Sequence, residues 1–81
     1  MAPEITIRQA TSADAFALRR LAALDDAPAL RGEVLLAEHA GDVRAALSLE
    51  NGRSIANPFA PTADLVEMLR ARGRSVETIA A

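Results

Sequence analysis

Val34-Leu35-Leu36-Ala37-Glu38 is a short, nearly continuous apolar run, and no other segment limits the fold of this 81-residue chain as tightly. A run without polar alternation suits a strand buried on both faces in the middle of a sheet. A chain of this length buries only about 60 to 65% of its unfolded surface. Residues 1–81 therefore read as a single small domain, with a stability of about 4 to 12 kcal/mol. The apolar fraction is 51%, but much of it is alanine and only Phe16 and Phe59 are aromatic. The core must come from a limited set of Leu, Ile and Val.

Around the central run the other elements follow from local pattern. Glu4-Ile5-Thr6-Ile7-Arg8 alternates as a half-buried strand does. Thr11-Ser12-Ala13-Asp14 is a helix start: the Thr11 hydroxyl accepts from a first-turn amide while Asp14 reaches back. The helix from about Ser12 to Leu24 carries an apolar stripe of Phe16, Leu18, Leu21, Ala22 and Leu24, with Arg19 and Arg20 on its wetter side. Asp25-Asp26-Ala27-Pro28 ends it, and proline disfavours helix in the residue before. Ala29 to Gly32 is a short turn.

After the turn His39-Ala40-Gly41-Asp42, Val43, Ala45, Leu47 and Leu49 recur at period two on an antiparallel strand. Asn51-Gly52 is a hairpin signal in which both turn residues take positive φ, and Arg53 to Asn57 is the next strand. Pro58 and Pro61 break the chain, Thr62 caps a second helix, and Leu65, Val66, Met68 and Leu69 form its apolar face. Gly73 is expected to end that helix. Residues 74–81 are compatible with more helix or with a short strand. The fold class is α+β: an antiparallel sheet of about four strands with two packed helices, in the order β-α-β-β-β-α.

Composition removes several functions. With no cysteine, disulfides, thiolate metal sites and cysteine nucleophiles are excluded. A net charge of −2 gives no basic footprint for nucleic acid. All nine basic residues are arginine, which reads as coding bias. Met1-Ala2-Pro3-Glu4 lacks the regions of a signal peptide, and no apolar run has the length of a membrane span. The expected compartment is the cytoplasm, with no membrane contact.

Two motifs carry a resemblance. The opening Ile5-Thr6-Ile7-Arg8-Gln9-Ala10-Thr11-Ser12-Ala13-Asp14-Ala15 and the hairpin Leu36-Ala37-Glu38-His39-Ala40-Gly41-Asp42-Val43-Arg44-Ala45-Ala46 fall in the same order and spacing as in GNAT-type N-acetyltransferases. Over residues 4 to 72 the chain resembles the amino-terminal half of such a domain. In that family a proline after the fourth strand leads into an Arg/Gln-x-x-Gly-x-Gly/Ala loop, whose amides at a helix N-terminus hold the CoA pyrophosphate. That chemistry needs glycine for close approach and free N–H groups. Here the corresponding positions are Pro61, Thr62, Asp64 and Val66. Pro61 removes a donor, Thr62 competes for a first-turn amide, and Asp64 adds a repulsion of roughly 1 to 4 kcal/mol at about 4 Å. The resemblance thus implies a fold without its cofactor site: no cofactor is expected, and acetyl-CoA least of all.

The chain spans only half of such a catalytic domain, so the strand before Pro58 is expected to be an open edge. Open edges recruit partners. Arg53, Ile55, Asn57 and Phe59 are the expected interface, with Ile55 needing cover, and the expected partner is a second copy or another protein. The reading is a non-catalytic half-domain acting through self-association or protein–protein interaction. The alternative is an N-acetyltransferase fragment or acyl-CoA-binding protein completed by a second chain. His39 and Glu50 read as solvated turn residues. Arg70, Arg72 and Arg74 complement the end of the second helix, and Glu67 with Arg70 is spaced for a helix pair. No nucleophile–base set or metal-ligand spacing is present.

Overall fold

The computed structural model describes residues 4–80, with side chains described through Ser75. Its elements are β1 (Ile5–Gln9), a 3-10 turn (Ser12–Asp14), α1 (Ala15–Leu24), β2 (Val34–His39), β3 (Asp42–Ser48), β4 (Ser54–Ala56) and α2 (Ala63–Ala80). The strands form one antiparallel sheet in the order β1-β2-β3-β4. The expected α+β class and element order are those observed.

The two helices lie on opposite faces of the sheet. Leu36, Ala46 and Ile55 meet Leu21 and Ala22 of α1 on one face. Leu35, Ala37, Ala45 and Leu47 meet Leu65 and Leu69 of α2 on the other. Because successive strand residues point to opposite faces, covering both is what requires the unbroken apolar run in β2. Leu36 and Ala37 have no exposed surface.

Each helix buries a narrower stripe than its sequence indicated. In α1, Leu21 and Ala22 are buried, while Phe16 and Leu24 face solvent. The cap at its start forms as expected, with the Thr11 hydroxyl accepting from the Ala13 amide and Asp14 accepting from the Thr11 amide. The helix ends at Leu24, as expected. The Asp26 amide donates to the Ala23 carbonyl and the Ala27 amide to the Ala22 carbonyl, with Asp26 at φ 50°. That is a Schellman stop, with the half-buried Ala27 packed behind it.

Three local expectations are corrected. The turn with two positive φ angles is Ala40-Gly41 (53° and 87°), between the paired His39 and Asp42; in Asn51-Gly52 only Gly52 is positive. There the buried Ser48 hydroxyl accepts from the Glu50 and Asn51 amides, and the Asn51 side chain accepts from the Arg53 amide. Those bonds favour a wider loop, and the regular part of the following strand shrinks to Ser54–Ala56. In β3, the register shifts so that Ala37 faces Ala45 while Glu38 faces Val43. This bulge at Arg44 moves Val43 to the α1 face, away from Ala45 and Leu47.

Gly73 does not end α2, which continues through it to Ala80. Residues 74–80 are therefore helix. Gly73 is buried, and a Cβ there would lie 3.2 Å from Leu47 Cδ2 and 3.5 Å from Leu49 Cδ2. A helix glycine costs about 1 kcal/mol against alanine, and here it lets the helix approach the sheet closely. Gly73→Leu gains helix propensity but overfills this contact, so the unfolding free energy from urea titration is expected to fall, by up to about 2 kcal/mol net. An unchanged midpoint would show that α2 does not dock through Gly73.

Candidate functional site

The most developed polar constellation lies where β1, β2 and the start of α1 meet. Arg8 pairs with Leu36 in the ladder, so Glu38 is its diagonal neighbour on the same face. Its Nε donates to Glu38 Oε1 at 2.7 Å, while Nη1 and Nη2 donate to Asp14 Oδ2 and Oδ1 at 2.9 and 2.8 Å. The fork on Asp14 is bidentate, the strongest geometry open to this pair. Arg8 holds the Asp14 carboxyl well below the usual carboxylate range, with the Thr11 amide adding to the effect. In return Asp14, and after it Glu38, raise the Arg8 guanidinium above its ordinary value. Its close acceptors are ion-pair partners within the chain, with the Gln9 carbonyl a longer contact at 3.4 Å, so the group fixes β1 and α1 to the sheet. Its partner Glu38 was not legible in sequence, because only the strand register brings residues 8 and 38 together.

At the positions corresponding to the acyl-CoA loop, the self-capping of α2 is corrected. The Thr62 carbonyl accepts from the Val66 amide at 3.0 Å, which puts Thr62 at the N-cap. Its hydroxyl makes no hydrogen bond to a first-turn amide among the described residues. Pro61 and Asp64 are exposed and Val66 is half-buried against the α2-side core. The carboxylate of Asp64 stays in the first turn, where it opposes an anion.

The β4 edge differs from its expected form. Ile55 is 1% exposed, so its side chain is covered by α1 and only backbone is open. The Asn57 amide faces inward to the Arg44 carbonyl. By alternation the Ala56 amide faces outward, and Asp25 Oδ2 accepts from it at 3.1 Å. The edge is thus guarded by a carboxylate from the end of α1. Arg53 donates to the Pro28 carbonyl, and Asn57 Oδ1 accepts from the Phe59 amide. Of the four expected interface residues, Phe59 alone presents a large apolar side chain, at 82% exposure.

The other aromatic, Phe16, is 70% exposed. It lines a groove of about 410 Å3 with Arg20, Leu24, Val43, Arg44 and Asn57. The bulge at Arg44 aims this guanidinium beneath α1. Its Nη2 lies 3.6 Å from Asp42 Oδ2, a weak pair because Asp42 is 75% exposed. Its Nε is buried without a hydrogen-bond partner. A buried donor left unmet costs about 1 to 3 kcal/mol.

Other singled-out residues separate. His39 is half-buried in the β2 ladder and Glu50 lies in the wide loop, packed beside Gly32. Arg70 does not pair with Glu67: it donates to the Gly52 carbonyl and to Ser54 Oγ, tying α2 to the loop before β4. Because the helix continues, Arg70, Arg72 and Arg74 lie within it and not at its end. Among the described residues no three His, Cys, Asp or Glu side chains could hold a metal ion, and no helix is long and apolar enough to cross a membrane. Comparisons with protein-family models, curated proteins and solved structures return no match.

The Arg8–Asp14 pair has a signed pH consequence. A carboxyl whose folded-state pKa is depressed adds stability that is complete above its unfolded value of about 4 and is lost as pH falls toward the folded value. Asp14→Asn is therefore expected to lower the urea midpoint at neutral pH and to flatten the acid loss of stability that wild type shows from about pH 5 downward. Parallel acid curves for the two proteins would contradict this assignment.

Proposed function

We propose that this chain is a non-catalytic, GNAT-like half-domain whose role is association with a second copy or another protein. One observation carries the reading: both of the chain's aromatic residues, Phe16 and Phe59, project into solvent while the core is closed with leucine, isoleucine, valine and alanine. Aromatic side chains contribute most when desolvated and are enriched at the centres of interfaces. Leu24, at 38% exposure, extends the apolar surface along α1 beside Phe16.

The mode of association is side-chain docking. Strand addition at β4 is disfavoured, because the edge is three residues long and the Ala56 amide already has Asp25. Arg53 and Asn57 then act as the polar rim of a surface centred on Phe59. The element order and the motifs around Arg8 and Gly41 support the half-domain reading.

The second reading, an acyl-CoA binder or N-acetyltransferase fragment completed by another chain, is favoured by the Thr62 hydroxyl, which makes no hydrogen bond to a first-turn amide of α2 among the described residues. Pro61 and Asp64 weigh against it for the reasons of donor loss and charge given above.

Sedimentation velocity across the micromolar range is expected to show reversible association, weakened at least about tenfold by Phe59→Ser, as loss of an anchor residue predicts. Calorimetry with acetyl-CoA is expected to be silent. A monomer at every concentration that captures no partner, or acetyl-CoA binding in the micromolar range, would overturn the proposal.

A further inference from the structure

We propose that the groove between α1 and the starts of β3 and the loop after β4 is a binding site for a small organic carboxylate with an apolar body. Three features on its walls select that chemistry. Arg44 brings a guanidinium whose buried Nε–H has no acceptor among the described residues. Arg20, one turn along α1 from Phe16, is exposed and pairs with no carboxylate among the described residues. Phe16, Leu24 and Val43 supply an apolar lining beside these cations.

A guanidinium presents donors in a planar fork that matches a carboxylate. Asp42 reaches only Nη2 and at 3.6 Å, so the guanidinium has no close acceptor among the described residues. The bulge is the structural cause. With Glu38 facing Val43 and Ala37 facing Ala45, Arg44 has no partner across the ladder, and bulges commonly redirect a side chain in this way. Its carbonyl still accepts from the Asn57 amide, which holds the bulge against β4. The volume of about 410 Å3 suits a ligand of one ring and a short chain.

A cavity of similar size beneath the other flank of α1 is lined by Leu18, Leu30 and Val34 with Arg19 and Glu33. Among the described residues it shows no unmet buried side-chain donor, which is why the Arg44 groove is preferred. This site shares Phe16, Leu24 and Asn57 with the surface proposed for association, but Phe59 does not line it, and a monomer could bind through it equally well.

The probe is 3-phenylpropionate, titrated into the full chain by two-dimensional NMR, with 3-phenylpropanol as its uncharged counterpart. Saturable shifts at Phe16, Val43, Arg44 and Asn57 are expected for the acid, with the alcohol at least about tenfold weaker, as for loss of a charge-assisted hydrogen bond. Arg44→Gln is expected to weaken the acid by about tenfold or more. Arg20→Gln, on an exposed helix face where it cannot disturb folding, is expected to weaken it several-fold, and Arg70→Gln on the opposite helix should leave binding unchanged. Absence of saturable shifts, equal binding of acid and alcohol, or wild-type binding by Arg20→Gln together with a folded Arg44→Gln would overturn the proposal. If Arg44→Gln does not fold, unaltered binding by Arg20→Gln alone overturns it.

Discussion

The rest of the structure depends on the burial of β2 and β3 from both sides at once. Leu36 and Ala46 close against α1, and Leu35, Ala37, Ala45 and Leu47 close against α2. Two strands covered on both faces let a short chain build two apolar layers on one sheet. The consequence is a division of labour. Small residues in the sheet, Ala37, Ala45 and Ala46, leave room for the helices to approach, and Gly73 completes that fit on the α2 side. Polar groups then fasten the outer parts: Arg8 ties β1 to α1 and β2, Asp25 ties α1 to β4, and Arg70 ties α2 to the loop before β4.

This arrangement also explains what is left exposed. A helix with a narrow buried stripe cannot cover residues a turn away from it, so Phe16 and Leu24 remain outside while Leu21 and Ala22 are inside. The aromatic side chains, which offer the most burial per residue, are left to the surface. That exposure is the observation on which the proposed association rests. The bulge in β3 adds a second outcome, placing the Arg44 guanidinium in a groove where its Nε meets no acceptor.

The sequence made the element order and the central strand legible, because period and apolar runs report directly on which faces are covered. The cap formed by Thr11 and Asp14 was legible too, since its partners are three residues apart. What failed depended on neighbours distant in sequence. Asn51-Gly52 was assigned the tight turn, but the Ser48 hydroxyl holds that loop wide, and Ala40-Gly41 makes the tight turn because the flanking strands pair there. Gly73 looked like a helix end because its real reason for being glycine is Leu47 across the layer. Thr62 occupies the cap position without the side-chain bond, and Ile55 was expected to need cover that α1 already gives. The candidate groove was invisible for the same reason: it arises from a one-residue slip in register that no local pattern encodes.

Amide hydrogen exchange measured residue by residue tests the doubly covered hairpin most directly. Interior amides of β2 and β3, at Leu36 and Ala46, are expected to exchange slowest in the chain, with rates that track global unfolding in urea. Exchange at Leu36 as fast as at Ile5, on the exposed edge strand, would contradict an account in which burial of this pair from both sides holds the molecule together.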